Sequence, residues 1–305
     1  MRNTFARVMT ELANERDDVC LLSGDIGNRM FDTYKEVDPL RFINCGIAEA
    51  NMMSMAAGMA LSGLRPVVYT ITPFTTTRCL EQIRTGVAYH EAPVVIVGTG
   101  SGLSYAELGA THHSLEDLAI LRSIPGLRIC TPADSLELEA QLRQAITEAK
   151  PTYIRIGKKG EPNLLHGQTP LGIGKAHMIK PGERILLLGI GPILSEALAA
   201  REMLQKEGVK LAVASMGSIK PIDHQFLQKC VSDGFKNWIS LEEHHQIGGL
   251  GSTLLEWLSE QRINAVQLSR MGIRDQFVHQ LGVQSYVRRC EMIDATAITN
   301  LVKSL

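Results

Sequence analysis

Glu49 is the residue with the most chemistry to offer. It stands in the stretch Gly46-Ile47-Ala48-Glu49-Ala50-Asn51-Met52-Met53-Ser54-Met55-Ala56-Ala57-Gly58-Met59, with no cation in that window. The small and Met residues suit a tightly packed helix. A glutamate in apolar surroundings has its charged form disfavoured, so its pKa is expected to rise. The alternative is a surface acid in a helix's first turn, where the helix dipole favours negative charge. A second cluster is the pair His112-His113, which follows a Gly- and Ser-rich stretch over 98–109. Such a pair in a loop is more often an ordinary loop feature, or occasionally a metal site, than catalytic. No Cys or acid stands near it at zinc-ligand spacing, so no metal is expected on this chain.

The words around Glu49 narrow the choice. Asn44-Cys45-Gly46-Ile47-Ala48-Glu49-Ala50-Asn51-Met52 resembles the signature of the transketolase family of thiamine diphosphate enzymes. Four more segments follow in the family's order: Glu81-Gln82-Ile83-Arg84, Gly109-Ala110-Thr111-His112-His113, Ile219-Lys220-Pro221-Ile222-Asp223 and Glu242 to Gly251. The resemblance covers nearly the whole chain. It implies that Glu49 activates the cofactor's aminopyrimidine and that Phe74 stacks on that ring, the alternative for Phe74 being ordinary core. It also assigns Ile71 and Asp25 to the cofactor. Ile71 and Thr77 stand where several transketolases have further aromatics, which loosens the slot.

The same resemblance implies a catalytic and substrate-facing role for His112. His113 matches the second histidine of 1-deoxyxylulose-5-phosphate synthases. For the substrate's phosphate, Arg2 matches the family's first arginine. Lys158 stands at the second, a point charge where a bidentate fork is usual. Arg29 replaces a serine and Gly100 a histidine. Leu108 stands where an aspartate usually bonds a sugar hydroxyl. A site lacking a needed polar partner discriminates against the group it cannot satisfy. A non-standard sugar is therefore expected.

A complete transketolase also holds the diphosphate through Mg²⁺, with Gly-Asp-Gly followed some thirty residues on by Asn. This sequence has Gly24-Asp25-Ile26 and no such motif. The resemblance thus implies a partner: an N-terminal subunit carrying the diphosphate domain and most of the Mg²⁺ ligands. An α₂β₂ assembly with self-association of this chain follows. The expected function is two-carbon ketol transfer between sugar phosphates. The alternatives are a 1-deoxyxylulose-5-phosphate synthase-like or other pyruvate-using acyl transferase, and a catalytically silent scaffold. A pyruvate dehydrogenase beta subunit shares the architecture but not the words around the Glu. The segment Glu242 to Gly251 is expected to pack domains and subunits together.

Bulk properties agree. The formal net charge of −1 over 305 residues gives no electrostatic case for nucleic acid or an anionic membrane. The Met1 end is charged and polar, unlike a secretory signal, and no apolar run reaches membrane-spanning length. Six scattered cysteines without a CxxC pair suit free thiols in a reducing cytoplasm. The glycine words Gly98 to Gly102, Gly189 to Gly191 and Gly248 to Gly251 do not make a dinucleotide fingerprint.

The elements that must position these residues alternate. Apolar strand signals at 19–22, 66–69, 93–98, 127–130 and 153–156 are separated by helical stretches. A second series runs through strands at 185–188, 210–214 and 238–241 with helices at 195–207 and 252–261. Such alternation predicts two α/β domains, each a largely parallel sheet with helices on both faces. The pyrimidine-binding domain is expected over 1–157, a linker over 158–182 and a C-terminal domain over 183–305.

Overall fold

The computed structural model describes residues 1–27, 29–165 and 167–305. Asn28 and His166 lie outside the described residues. In chain order the first strands are β1 (Val19–Ser23), β2 (Phe42–Asn44), β3 (Arg65–Ile71), β4 (Val95–Thr99), β5 (Arg128–Cys130) and β6 (Thr152–Ile156). They run parallel in the order β5-β6-β4-β3-β1-β2. Then come β7 (His177–Lys180), β8 (Ile185–Gly189), β9 (Ala212–Ser215), β10 (Ser218–Lys220), β11 (Asn237–His245) and β12 (Gln267–Ile273). The second sheet has the order β12-β11-β8-β9-β7. Helices flank both sheets. The central strands are buried along their whole length, as in β1 and β4. Burial on both faces requires continuous apolar runs, which is why these strands are readable.

Two edges depart from the expected layout. β7 lies inside the stretch read as linker and pairs antiparallel with β9. Its burial alternates, with His177 and Ile179 inside and Lys180 outside, among flanking glycines and prolines that mask a strand signal. β10 comes from the second half of the chain yet pairs antiparallel with β5 of the first sheet. The helical stretch over 77–88, between β3 and β4, is also not a regular α-helix throughout. It starts as a tight turn at Thr77–Cys79 and continues as a wide π-type coil over Gln82–Ala88. Ile83, Val87 and Ala88 still face inward, so the apolar spacing does not separate the two coils.

The helix Glu49–Leu61 fills one face of the first sheet with Met52, Met53, Ala56, Ala57 and Ala60. Each fully buried Met stabilises the fold by roughly 1.5–3 kcal/mol. The 242–251 segment ties the domains together. Arg155 of β6 donates to the Glu243 carbonyl at 2.8 Å, His245 N donates to Leu115 O at 2.9 Å, and Arg122 donates to Gly248 O at 3.0 Å. Among the described residues no helix is long and apolar enough to cross a membrane.

A second domain contact makes stability pH-dependent. Glu137 sits one turn into the helix Ser135–Glu148, beside its Asp134 cap, and is fully buried. Its Oε2 accepts from Ala133 N at 2.7 Å and from Ser215 Oγ of β9 at 3.0 Å. Burial pushes its pKa up to about 7. The folded value exceeds the unfolded one, so this stabilisation is complete below about pH 4.5 and is lost as pH rises through 7. Glu242 is pushed the same way, and burial of His244 acts oppositely at lower pH. Glu137→Gln keeps the acceptor and cannot ionise. Relative to wild type it is expected to gain about 2 kcal/mol between pH 5 and pH 8. Urea unfolding of both proteins at the two pH values checks this. Parallel behaviour would contradict the assignment.

Candidate functional site

The site residues gather at the carboxyl ends of the first sheet's strands, where open α/β sheets place ligands. β2 ends at Asn44, and Gly46 turns the chain at φ +64° with open space around its Cα. Asn44 holds the turn: its Oδ1 accepts from Gly46 N at 2.8 Å, and its Nδ2 donates to Asp25 Oδ1 at 3.3 Å. Asp25 also donates its N–H to Gly46 O at 3.1 Å. The turn then starts the helix whose first residue is Glu49, only 5% exposed. Its carboxylate is not isolated, which corrects the expectation of purely apolar surroundings. Arg78 Nη1 donates to Glu49 Oε2 at 2.9 Å from a segment 29 residues further on.

β3 ends in the buried Ile71 and runs into one helical turn, Thr72–Thr75. Thr72 Oγ1 donates to Thr99 O at 3.1 Å and Thr76 Oγ1 to Thr72 O at 2.7 Å, which fixes this turn against β4. Phe74 projects from it half-buried, so it is not closed core. The guanidinium carbon of Arg78 lies over the Phe74 ring, 4.1 Å from its centroid. His112 meets Phe74 edge-on, with ring centroids 5.4 Å apart.

His112 follows Gly109, whose φ of 72° lets the loop reverse. Its Nδ1 lies 2.9 Å from Thr111 Oγ1. His113 turns the other way and is buried, with Nε2 unpartnered. Desolvation lowers its pKa below the usual imidazole value, with a smaller opposing contact from the Ala106 backbone. It is therefore neutral at pH 7. Leu108 is 48% exposed on the same loop.

Arg2, Arg29 and Lys158 line one cavity of about 410 Å³, together with Lys159. Arg2 Nε donates to Tyr69 Oη at 3.1 Å. Arg29 is exposed. Lys158 pairs with Glu107, whose pKa this hydrogen bond lowers. The Lys158 ammonium also sits 4.3 Å from the Tyr105 ring centroid, and Tyr105 lies edge-on to His112 at 5.9 Å. A continuous line of contacts thus runs from the cations through Tyr105, His112, Phe74 and Arg78 to Glu49.

Sequence reasoning missed Arg78, Tyr105 and Lys159. Arg78 stands four residues after Phe74 in a locally helical stretch, the spacing at which side chains meet. For Tyr105 the signal was Gly100. A Cβ at Gly100 would fall 2.2 Å from the Tyr105 ring, so a histidine cannot stand there while Tyr105 does. Among the described residues no group of three His, Cys, Asp or Glu side chains could hold a metal ion.

Comparison with known proteins places this geometry in a family. Residues 1–161 match the transketolase pyrimidine binding domain, and residues 174–284 match the transketolase C-terminal domain. An apulose-4-phosphate transketolase subunit from Phocaeicola vulgatus is 33% identical over 91% of this chain and 88% of its own length. A 6-deoxy-6-sulfo-D-fructose transketolase subunit of a Clostridium species is 32% identical over 94% and 88%. A 1-deoxy-D-xylulose-5-phosphate synthase of Syntrophus aciditrophicus is 34% identical over 90% of this chain, which spans only 42% of that protein. Among solved structures, a split gene transketolase described as an inactive beta4 tetramer superimposes with a TM-score of 0.88 at 29% identity, over 99% of this chain and 96% of that one. The chain belongs to the transketolase family, of which it carries the pyrimidine-binding and C-terminal domains as split-subunit relatives do.

Proposed function

We propose that this chain is the beta subunit of a split thiamine diphosphate-dependent transketolase, moving a two-carbon ketol unit between sugars that carry an anionic end. One observation carries the reading: a half-buried aromatic face, Phe74, and a buried carboxylate, Glu49, converge on one flat nitrogen-bearing group. The guanidinium of Arg78 is that group here, and an aminopyrimidine ring has the same needs. The residues therefore fit the cofactor's ring. Thiamine diphosphate supplies a nucleophilic carbon and an electron sink when bound. Glu49 would hold a proton at its carboxyl against the ring's N1′. Phe74 would fix the ring plane, with Ile71 and Asp25 bordering the seat. His112 would polarise the substrate carbonyl or pass a proton to its oxygen.

The cation cavity fits the far end of the substrate. The relatives' names specify a sugar 4-phosphate and a sulfonated sugar, both anionic. Arg2, Arg29 and Lys158 can hold such a terminus, and Leu108 offers no bond to a mid-chain hydroxyl. The diphosphate and Mg²⁺ fall to an N-terminal partner subunit in an α₂β₂ assembly within the cytoplasm. The beta4 neighbour, described as inactive, supports the need for such a partner. The test is ketol transfer by the mixed subunits. Ketose phosphates and ketose sulfonates serve as donors, aldehyde release is read, and each subunit alone should be silent. A second reading rests on His113, buried beside His112 with a free Nε2. It is a pyruvate-using acyl transfer, and CO₂ release from pyruvate by the mixed subunits would select it.

A further inference from the structure

Arg78 makes two contacts at once. It donates to Glu49 at 2.9 Å and its guanidinium carbon lies 4.1 Å from the Phe74 centroid. Glu49 Oε2 and this face of Phe74 are contacts the cofactor's ring would use, and while Arg78 holds both, a ring cannot lie in the same place. We infer that Arg78 is a displaceable occupant of the pyrimidine seat, closing Glu49 and Phe74 against each other until the cofactor's ring replaces it. This rests on the cofactor reading above.

The physical case has two sides. Glu49 is 5% exposed, and a buried carboxylate without a partner is costly, so an empty seat needs a cation. Arg78 is 44% exposed at its side chain, so it can swing to water with little loss. Its anchorage is slight. It sits in the single turn Thr77–Cys79, which has no side-chain cap, and no second side-chain hydrogen bond holds it among the described residues. A residue built only to support Glu49 in the working site would be packed on more sides. The consequence is competition: the pair stabilises the cofactor-free chain and weakens cofactor binding by the same interaction.

The test compares wild type, Arg78→Ala and Arg78→Lys, each assembled with the diphosphate-domain partner. Thiamine diphosphate with Mg²⁺ is titrated calorimetrically. Arg78→Ala should bind the cofactor about tenfold more tightly than wild type, since one charge-assisted contact no longer competes. Arg78→Lys, which keeps the charge and loses the flat group, should fall between them. Without cofactor, Arg78→Ala should melt below wild type, and the difference should vanish at saturating cofactor. Equal or weaker binding by Arg78→Ala, with wild type still binding, would overturn the occupant and leave the cofactor reading standing. No binding by any of the three would overturn both.

Discussion

Glu49→Gln in the assembled enzyme is expected to lower turnover by about 10³-fold while leaving the fold intact. The amide matches the carboxyl in size, and its oxygen can still accept from Arg78, which donates at 2.9 Å. What it loses is the ability to hold and release a proton at that position, an acid–base contribution on the order of 10²- to 10⁴-fold. The charge lost on Glu49 faces a half-exposed guanidinium, so the change in thermal midpoint should be small. Steady-state assays and a thermal melt on the same preparation separate the two effects. Ordinary turnover in this variant would remove Glu49 from the mechanism, and a collapsed melt would make it a structural residue.

Glu243→Ala should produce the largest loss of stability, about 3 kcal/mol. Glu243 is 3% exposed and joins three elements. Its carboxylate pairs with Arg288, accepts from Gln284 Nε2 at 3.0 Å, and accepts from Leu103 N at 3.3 Å. Truncation leaves the buried Arg288 with Glu196 alone, at 3.1 Å. For a chain of this size that is a fall in midpoint of about 5 °C. The Leu103 contact carries the effect to the site, because Leu103 begins the loop that presents His112. KM for the sugar should therefore rise along with the loss of stability. Thermal melts and a KM measurement below the new midpoint check both parts. A melt within about 2 °C of wild type would mean that the hub is not what joins these elements.

These two residues mark where the sequence was legible and where it was not. The central parallel strands and the helix of Glu49 could be read because burial on both faces demands unbroken apolar runs, as in Val94 to Val97. β7, β10 and β12 could not be read in the same way. Each is an edge strand with polar residues on its open side, so its period is interrupted. Glu49 stood out by its setting, yet its partner did not, because Arg78 reaches it across 29 residues of chain. Glu243 was hidden for a related reason. A buried acid is specified by Arg288 and Gln284, 45 and 41 residues away, and periodicity carries no trace of such pairs. Gly100 looked like a lost ligand in the sequence. In the fold it is the space that the Tyr105 ring occupies.

The most direct measurement is a calorimetric titration of thiamine diphosphate and Mg²⁺ into this chain alone, into the diphosphate-domain partner alone, and into the mixture. The account predicts tight binding only in the mixture, one cofactor for each Glu49, because this chain offers the seat for the ring and its partner the site for the diphosphate. Tight binding to this chain by itself, or none in a mixture that forms a stable complex, would contradict it.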